Sequence, residues 1–401
     1  MDDYADRDAL FDSFAAHLSP GKAKLYREYG LDAVMGAREG VHFQDRYSDR
    51  RWFNCHVNGG VFNLGHRNAK VLAAVREALD TVDIGNHHLA SPYRTRLAER
   101  LAATTDGALP GVVFGVGGGE SVDLALSLAR GVTGRPGVVS AQGGYHGHTG
   151  LSRAAGDAQY RDPFLASLPH FTQVPFDDIA AMDAAVGDDT AAVILEPIPA
   201  TLGMPIPSDG YLEAVQRVCH ERGALFVVDE VQTGLGRTGA IYACQLDALS
   251  PDLVVLGKGL SGGVYPITAT LMRAELLTFF ERHPFAHIST FGGAEPGCAA
   301  ALSVLDQIEA PDFLPRVRAL GERFERGLMG ASFTLRRRGM MMGLAFGIPE
   351  GGLLAAHLLY ARGVFTAWAN NDTRVLQFLP PLITTDDEAD ELIGILREVF
   401  G

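Results

Sequence analysis

A lysine and two acids stand directly after apolar segments, where their side chains can do chemistry. Asp229 and Glu230 follow the run 225–228, and Lys258 lies between glycines after the run 253–256. A buried carboxylate needs hydrogen bonds or a cationic partner, and a pyridinium nitrogen is such a partner. Apolar surroundings lower the pKa of a lysine toward the neutral amine that forms Schiff bases. The sequence therefore favours covalent chemistry at Lys258 beside a cationic group held by Asp229.

Each of these residues has another explanation when it is considered alone. Asp229 is also consistent with a helix cap or with a Mg²⁺ ligand at a strand end. A lone lysine between glycines is more often an exposed turn residue. Because Lys258 follows an apolar run and comes after Asp229 in the chain, the two together favour the chemical interpretation.

A glycine-rich segment, 115–119, joins the apolar run 112–114 to a helical pattern that carries Val122 and Ala125 on one face. Glycines before a helix N-terminus expose backbone N–H groups, which bind phosphate with help from the helix dipole. The segment lacks Gly-Lys-Ser/Thr, so it does not indicate a P-loop, and its spacing does not match a dinucleotide-binding fingerprint. It therefore predicts a phosphate site of another kind.

An aromatic residue and two histidines, Tyr145, His146 and His148, lie in a glycine-rich loop downstream. A tyrosine in such a loop can stack on a flat cofactor ring. His146 and His148 could bind a metal, as could His87 and His88. No matching cysteine, histidine or acid pattern lies near either pair, so we predict no metal site.

The composition limits the partners. With 34 basic and 48 acidic residues the net charge is -14, which argues against nucleic acid and anionic membrane surfaces, since both need concentrated Lys and Arg. The N-terminus is acidic where a secretory signal needs a basic start, and no uncharged apolar run has the length of a membrane span. The four cysteines form no C-x-x-C pair, which suits a reducing compartment. We therefore expect a cytoplasmic protein that acts on small molecules.

The segments that position these residues alternate in type. From about residue 68 short β-branched apolar runs alternate with longer helical patterns, which is typical of a mostly parallel sheet covered by helices. The candidate strands are 112–114, 138–140, 192–195, 225–228 and 253–256. The two ends of the chain have a different pattern. We expect a large domain of residues 56–300 and a smaller domain formed by 1–55 together with 301–401.

In this order, the motifs resemble the class III aminotransferases, the ω- and acetylornithine-type branch of the fold-type I pyridoxal-phosphate enzymes. The matching segments, spread over nearly the whole chain, are Asn63-Leu64-Gly65-His66, Tyr145-His146-Gly147, Leu195-Glu196-Pro197, 228–239, Gly257-Lys258-Gly259 and Pro380-Pro381-Leu382. The block 228–239 together with Lys258 is specific to this family. The resemblance implies an α/β fold of type I, with a mostly parallel seven-stranded sheet in the large domain and a smaller α+β domain.

The resemblance also implies a cofactor, pyridoxal 5'-phosphate (PLP), bound to Lys258 as a Schiff base. Lys258 would then move a proton between the substrate and the cofactor, and Asp229 would keep the ring nitrogen positive so that the ring accepts electrons. The residues that the family places around the ring are Tyr145, His146, Val231 and Gln232. Val231 and Tyr145 would pack against the two ring faces, and Gln232 would reach the phenolic oxygen.

The same resemblance places the cofactor phosphate on the backbone of Gly118 and Gly119, with the hydroxyl of Thr290 supplied by a second subunit. A shared phosphate site implies a homodimer with the active site at the subunit interface. Glu196 would line the substrate side as a partner or screen for an arginine. A structural hydrogen bond at a strand end explains Glu196 equally well.

The chain departs from the family pattern in two places. Gly117-Gly118-Gly119 stands where the family usually has Ser-Gly-Thr, so two hydroxyls that would bond the phosphate are missing, and we expect weaker cofactor retention. Gln377 stands where many members have an arginine that clamps the substrate carboxylate. Arg374 is three residues earlier, and on a strand this odd offset points to the other face, so Arg374 cannot simply replace that arginine.

The resemblance implies an aminotransferase that moves an amino group from an amino acid or amine donor to a 2-oxo acid, whose carboxylate would be held in an unusual way, by Arg374 or another arginine. The alternative is an enzyme of the same fold with a different outcome, such as a racemase, epimerase, decarboxylase or lyase, because these use the same Lys258 and Asp229. A catalytically idle cofactor-binding protein is disfavoured, because Gln232 and Tyr145 are present as well.

Overall fold

The computed structural model describes residues 4–85 and 88–401. His87, one of the histidines considered above as a metal ligand, lies outside the described residues. The strands are β1 Met35–Glu39, β2 His42–Asp45, β3 Arg51–Asn54, β4 Gly111–Gly115, β5 Gly137–Ala141, β6 Phe171–Val174, β7 Thr190–Leu195, β8 Leu225–Asp229, β9 Leu253–Leu256, β10 Thr268–Met272, β11 Thr334–Arg338, β12 Met341–Ala345, β13 Val364–Phe365, β14 Ala367–Ala369 and β15 Asp372–Phe378.

The helices alternate with these strands through the middle of the chain. They are α1 Arg7–His17, α2 Pro20–Glu28, α3 Val57–Gly60, α4 Ala69–Leu79, α5 Pro92–Ala103, α6 Gly118–Thr133, α7 Gly150–Ala155, α8 Ala158–Arg161, α9 Ile179–Ala185, α10 Tyr211–Arg222, α11 Ala274–Arg282, α12 Glu295–Ile308, α13 Phe313–Gly327, α14 Gly351–Ala361 and α15 Asp386–Phe400. Of these described helices, none has the length and apolar character that crossing a membrane requires.

The largest sheet in the described part of the chain has seven strands in the order β4-β10-β9-β8-β7-β5-β6. Neighbouring strands from β9 through β8, β7 and β5 to β6 pair in parallel, and β10 pairs antiparallel with both β4 and β9. A parallel connection needs a crossover. Helices α7 and α8 lie between β5 and β6, and α10 lies between β7 and β8. The predicted α/β class with a mostly parallel sheet is confirmed.

Both faces of this sheet are buried, which explains why its strands are continuous apolar runs rather than alternating ones. Along β7, Val193 and Leu195 face one core, while Ala192 and Ile194 face another. Each of the five candidate strands lies within an observed strand, β4, β5, β7, β8 or β9. Strands β6 and β10, which complete the sheet, were not predicted.

Two four-stranded sheets come from the ends of the chain, in the orders β1-β2-β3-β13 and β11-β12-β15-β14. They share a core with helices α13 to α15, in which Phe324 and Phe378 are fully buried. Helix α12 runs past residue 300 and packs against the core of the large sheet as far as Ile308. The division into 56–300 and the two chain ends stays a prediction.

A buried arginine joins the large sheet to the C-terminal segment. Arg237 follows β8 and donates hydrogen bonds to Asn63 Oδ1 at 2.6 Å, Pro380 O at 2.8 Å and Met340 O at 3.2 Å. Burial lowers the pKa of Arg237 to about 9. Because a buried guanidinium needs its donors satisfied, these three acceptors fix the C-terminal segment beside the edge of the sheet where β8 ends.

Candidate active site

Asp229 and Lys258 lie at the same edge of the large sheet. β8 ends at Asp229, β9 ends at Leu256, and the two strands pair in parallel with Asp229 opposite Val255. Open α/β sheets bind ligands at the carboxyl ends of their parallel strands. Lys258 has a φ of 40°, a costly conformation for a residue with a side chain and one that is concentrated at functional sites. Two adjacent strands thus bring the acid and the lysine together.

A cavity of about 390 Å³ opens at this edge of the sheet. Its wall is formed by residues 116–120, residues 145–149, Glu196, Asp229, Val231, Gln232 and Lys258. Apart from Thr290, the residues predicted for the catalytic pair and the cofactor shell all line this cavity. The glycine-rich segment, the loop after β5 and the ends of three parallel strands therefore meet at one place.

The Asp229 carboxylate contacts the side chain of His146 in this cavity. His146 Nδ1 lies 2.9 Å from Asp229 Oδ2, and both residues are buried. Burial alone would lower the pKa of His146, but the hydrogen bond and the negative charge of Asp229 outweigh it, so the pKa lies above its usual value. The other carboxylate oxygen, Oδ1, accepts the N–H of Val231 at 3.1 Å. These contacts hold the buried carboxylate in one orientation.

Lys258 differs from the other lysines of the chain. Burial lowers its pKa, and the negative charges of Asp229 and Glu196 oppose that effect. The three other lysines, Lys22, Lys24 and Lys70, are exposed at the surface. A lowered pKa favours the neutral amine, which is the nucleophilic form. Lys258 is therefore the lysine whose surroundings suit covalent chemistry.

Glu196 follows β7 and lies between the loop after β5 and Asp229. Its Oε1 accepts the backbone N–H of Tyr145 at 2.9 Å. Burial raises the pKa of Glu196 to about 7, the positive charge of His146 opposes this rise, and the negative charge of Asp229 adds to it. Glu196 therefore changes its charge near neutral pH. It makes a structural hydrogen bond and lines the cavity, and its expected role as a partner or screen for an arginine stays a prediction.

The start of α6 faces the same cavity. Gly117 precedes the helix in an extended conformation, and Gly118 and Glu120 lie in its first turn. The first N–H groups of a helix have no partner within the helix, so they are available to an anion. Glu120 Oε2 accepts the N–H of Val116 at 2.7 Å, which folds the incoming chain back onto the helix start.

Three predicted residues lie away from this cavity wall. Thr290 is exposed in the loop before α12. Arg374 is exposed on β15 and pairs with Asp372, its Nε 2.7 Å from Oδ1. Gln377 is buried on the same strand, and its Nε2 donates to Trp368 O at 3.3 Å. The lining residues, all within the described part of the chain, include no arginine.

Gly59 lies at the site but was not predicted as a site residue. A Cβ on Gly59 would lie 3.1 Å from Lys258 Cε and 3.2 Å from Gln232 Oε1. Any larger residue at position 59 would therefore crowd both of these side chains. Residues 57–60 all have positive φ, including the β-branched Val57 at 45°, which marks a strained turn against the lysine. The Gly59-Gly60 pair was a signal in the sequence that a close backbone approach was needed.

Comparisons with known proteins agree on the family. The family model described as aminotransferase class-III matches residues 34–400. An uncharacterised aminotransferase of Archaeoglobus fulgidus is 48% identical over 388 residues, which cover 95% of this chain and 91% of that protein. The crystal structure of an adenosylmethionine-8-amino-7-oxononanoate aminotransferase from Methanocaldococcus jannaschii is 26% identical, with a TM-score of 0.88 and 98% of each chain covered.

A Toxoplasma gondii ornithine aminotransferase, whose structure is described with partial occupancy of PLP at the active site, is 24% identical, with a TM-score of 0.88 over 99% of this chain and 95% of that one. Fold and site define a fold-type I enzyme that depends on PLP. The chain belongs to the class III aminotransferases and transfers amino groups. Nothing in the comparisons favours the racemase, epimerase, decarboxylase or lyase alternative.

The cavity fits PLP on grounds of its own. Gln232 lines the cavity, and its Nε2 is buried and has no hydrogen-bond partner among the described residues, so this group is available to a ligand there. A Cβ on Gly118 would lie 3.4 Å from Val231 Cγ1, which shows how closely the helix start approaches the side chain expected on one face of the ring. The unpaired polar group and the helix start close to Val231 thus suit a flat ligand that carries a phosphate.

The pKa of Glu196 predicts a pH dependence. Glu196 is mostly neutral below pH 7 and mostly negative above it, because its pKa is about 7. A donor ammonium is attracted to the negative form, so the KM for the donor should fall severalfold from about pH 6 to about pH 8. In Glu196→Gln this fall should disappear. Steady-state kinetics across this range test the prediction, and an unchanged pH dependence of KM in the variant would contradict it.

Proposed function

We propose that Lys258 and Asp229 are the catalytic pair and that His146 positions Asp229. The observation that carries this proposal is the 2.9 Å contact between His146 Nδ1 and Asp229 Oδ2 in the cavity that Lys258 also lines. A carboxylate that is fixed beside a pyridine nitrogen can hold a proton on that nitrogen. A positive ring nitrogen makes the ring a better electron acceptor.

The chemistry is divided between the cofactor and the chain. When bound, PLP supplies an electrophilic carbonyl and a ring that accepts electrons. Lys258 Nζ would attach the cofactor through that carbonyl and later carry a proton between the substrate and the cofactor. Attachment, which releases water, and uptake of the proton both require the neutral amine, which burial of Lys258 favours, and the ammonium so formed would deliver the proton. Glu196, next to this amine, would bind the positive charge of the donor.

The rest of the cofactor shell follows from the cavity wall. Val231 and Tyr145 would enclose the ring from its two faces, and the unpaired Nε2 of Gln232 would donate to the phenolic oxygen. The first N–H groups of α6, at Gly118 and Gly119, would hold the phosphate. Each of these residues lines the cavity that Lys258 and Asp229 share.

We also propose a homodimer whose partner subunit completes the site with Thr290. Several large apolar side chains are exposed close to Thr290 in the sequence, namely Phe285, Ile288 and Phe291. Leu89, in the segment before α5, is exposed as well. A concentration of exposed apolar side chains favours a protein interface, and a two-fold axis would bring each copy of this loop to the other copy's site.

The proposed substrates are an amine or amino acid donor and a 2-oxo acid. Because no arginine of the described chain lines the cavity and Arg374 is paired with Asp372, the chain's own wall offers a substrate carboxylate little ionic binding. We therefore propose that amines without a carboxylate next to the reacting carbon are good donors. The four cysteines are buried and unpaired, which supports our proposal of a reducing compartment, the cytoplasm.

A single half-reaction tests the proposed function. The enzyme loaded with PLP is mixed with α-amino acids, ω-amino acids or diamines, without an oxo acid, and the absorbance of the cofactor is recorded. We expect conversion to the pyridoxamine form, fastest with donors whose reacting carbon carries no carboxylate. Racemisation, decarboxylation or cleavage of the donor, without the pyridoxamine form, would overturn the proposed reaction.

Position 377 tests the account of carboxylate binding. In Gln377→Arg a guanidinium is placed where many family members have one, and a bidentate pair with a carboxylate should lower the KM for a 2-oxo acid by about tenfold. Arg374→Met is the matched control, because the exposed Arg374 already pairs with Asp372, and its KM should stay within about twofold of the wild type. A tenfold rise in KM for the control would show that Arg374 binds the acceptor.

A further inference from the structure

The start of α6 has no side-chain hydroxyl to offer a phosphate. Its first residues and the residue before them are Gly117, Gly118 and Gly119. Backbone N–H groups alone would then carry the phosphate within this chain. The space that a side chain of Gly119 would fill is occupied by a different residue.

That residue comes from the loop after β5. A Cβ on Gly147 would lie 2.6 Å from Gly119 Cα, so the loop rests directly on the first turn of α6, and Gly147 has a φ of 126° that suits glycine alone. Two residues further on, Thr149 Oγ1 lies 2.7 Å from the position that a Cβ of Gly119 would take. The hydroxyl of Thr149 thus takes the place of a side chain at residue 119.

The hydroxyl of Thr149 is held by Ser152. Ser152 Oγ accepts the backbone N–H of Thr149 at 3.3 Å and lies 3.0 Å from Thr149 Oγ1. Ser152 itself is fully buried, and its N–H donates to Asp123 Oδ1 at 2.6 Å. When Ser152 donates its one hydroxyl proton to Thr149 Oγ1, the proton of Thr149 is left for an acceptor in the cavity.

We propose that Thr149 binds the phosphate of the cofactor and supplies the hydroxyl that the glycines of α6 lack. Thr149 lines the cavity together with Gly118, Gly119 and Lys258. The buried and unpaired Nε2 of Gln232, another residue of the cavity wall, points independently to a ligand in the same cavity. The inference rests on the proposed placement of the phosphate at the start of α6, and it replaces the expectation of weak cofactor retention.

The test separates the phosphate from the rest of the cofactor. The dissociation constants of PLP and of pyridoxal, which lacks the phosphate, are measured by absorbance titration of the apoenzyme of the wild type, Thr149→Val and Thr149→Ser. A hydrogen bond to a charged group is lost in Thr149→Val, so we expect PLP to bind about tenfold more weakly, with the affinity for pyridoxal unchanged. Thr149→Ser keeps the hydroxyl and should bind PLP like the wild type.

Three outcomes would overturn the role of Thr149. PLP bound by Thr149→Val as tightly as by the wild type would exclude a hydroxyl contact. An equal loss of affinity for PLP and pyridoxal would indicate a structural role only. If Thr149→Ser lost as much affinity for PLP as Thr149→Val, the hydroxyl would not be the group that binds the phosphate. If the wild type bound PLP and pyridoxal equally, the phosphate site itself would be refuted, which is a different failure.

A steric exchange provides a second, independent test. In Gly119→Thr the new Cβ meets Thr149 Oγ1 at 2.7 Å, so we expect about tenfold weaker binding of PLP. In Gly119→Thr combined with Thr149→Ala the crowding is relieved and a hydroxyl is restored from α6, so the affinity should return to within about threefold of the wild type. A double variant that binds PLP no better than Gly119→Thr would contradict the shared space.

Discussion

The burial of the Asp229 carboxylate is the constraint on which the site depends. A carboxylate at the end of a buried strand costs several kcal/mol unless it is paired and hydrogen-bonded. His146 supplies the partner at 2.9 Å, and Val231 supplies a backbone N–H at 3.1 Å. The same contacts hold the carboxylate in one orientation at the wall of the cavity. The hydrogen bonds that offset the cost of burying the acid therefore also position it for the role proposed for it.

The order of the strands explains how one cavity gathers residues from distant parts of the sequence. β5, β7, β8 and β9 are consecutive neighbours in the sheet. The loop with Tyr145 and His146 follows β5, Glu196 follows β7, Asp229 ends β8, and Lys258 follows β9. Parallel strands place all of these at one edge. The hydrogen bond from the backbone N–H of Tyr145 to the side chain of Glu196 then holds the loop across the end of β7, within reach of Asp229.

The central strands and two of the residues at their ends could be predicted from the sequence, because a strand that is buried on both faces has a continuous run of apolar residues. The five such runs each correspond to a strand, and the acid and the lysine that follow two of them line the cavity. β6 and β10 were missed because Phe171–Val174 and Thr268–Met272 are interrupted by threonine or glutamine. Such short mixed runs do not differ from a loop by periodicity alone.

The contacts between side chains could not be predicted in the same way. His146 and Asp229 are 83 residues apart, and their contact depends on the strand order, which the sequence does not state. The place of Thr149 beside Gly119 likewise depends on how closely Gly147 approaches α6. The arginine expected for the substrate carboxylate shows the limit of motif matching, since the pairing of Arg374 with Asp372 becomes visible only in three dimensions.

The central claim is that the amine of Lys258 is the attachment point of the cofactor. The most direct measurement is to load the enzyme with PLP, reduce it with borohydride to fix any imine bond, and map the modified peptide by mass spectrometry. The chain contains three other lysines, all exposed, at positions 22, 24 and 70, which serve as internal controls. The account predicts the added mass on Lys258 alone. Modification of another lysine in its place, or no stable modification of the loaded enzyme, would contradict it.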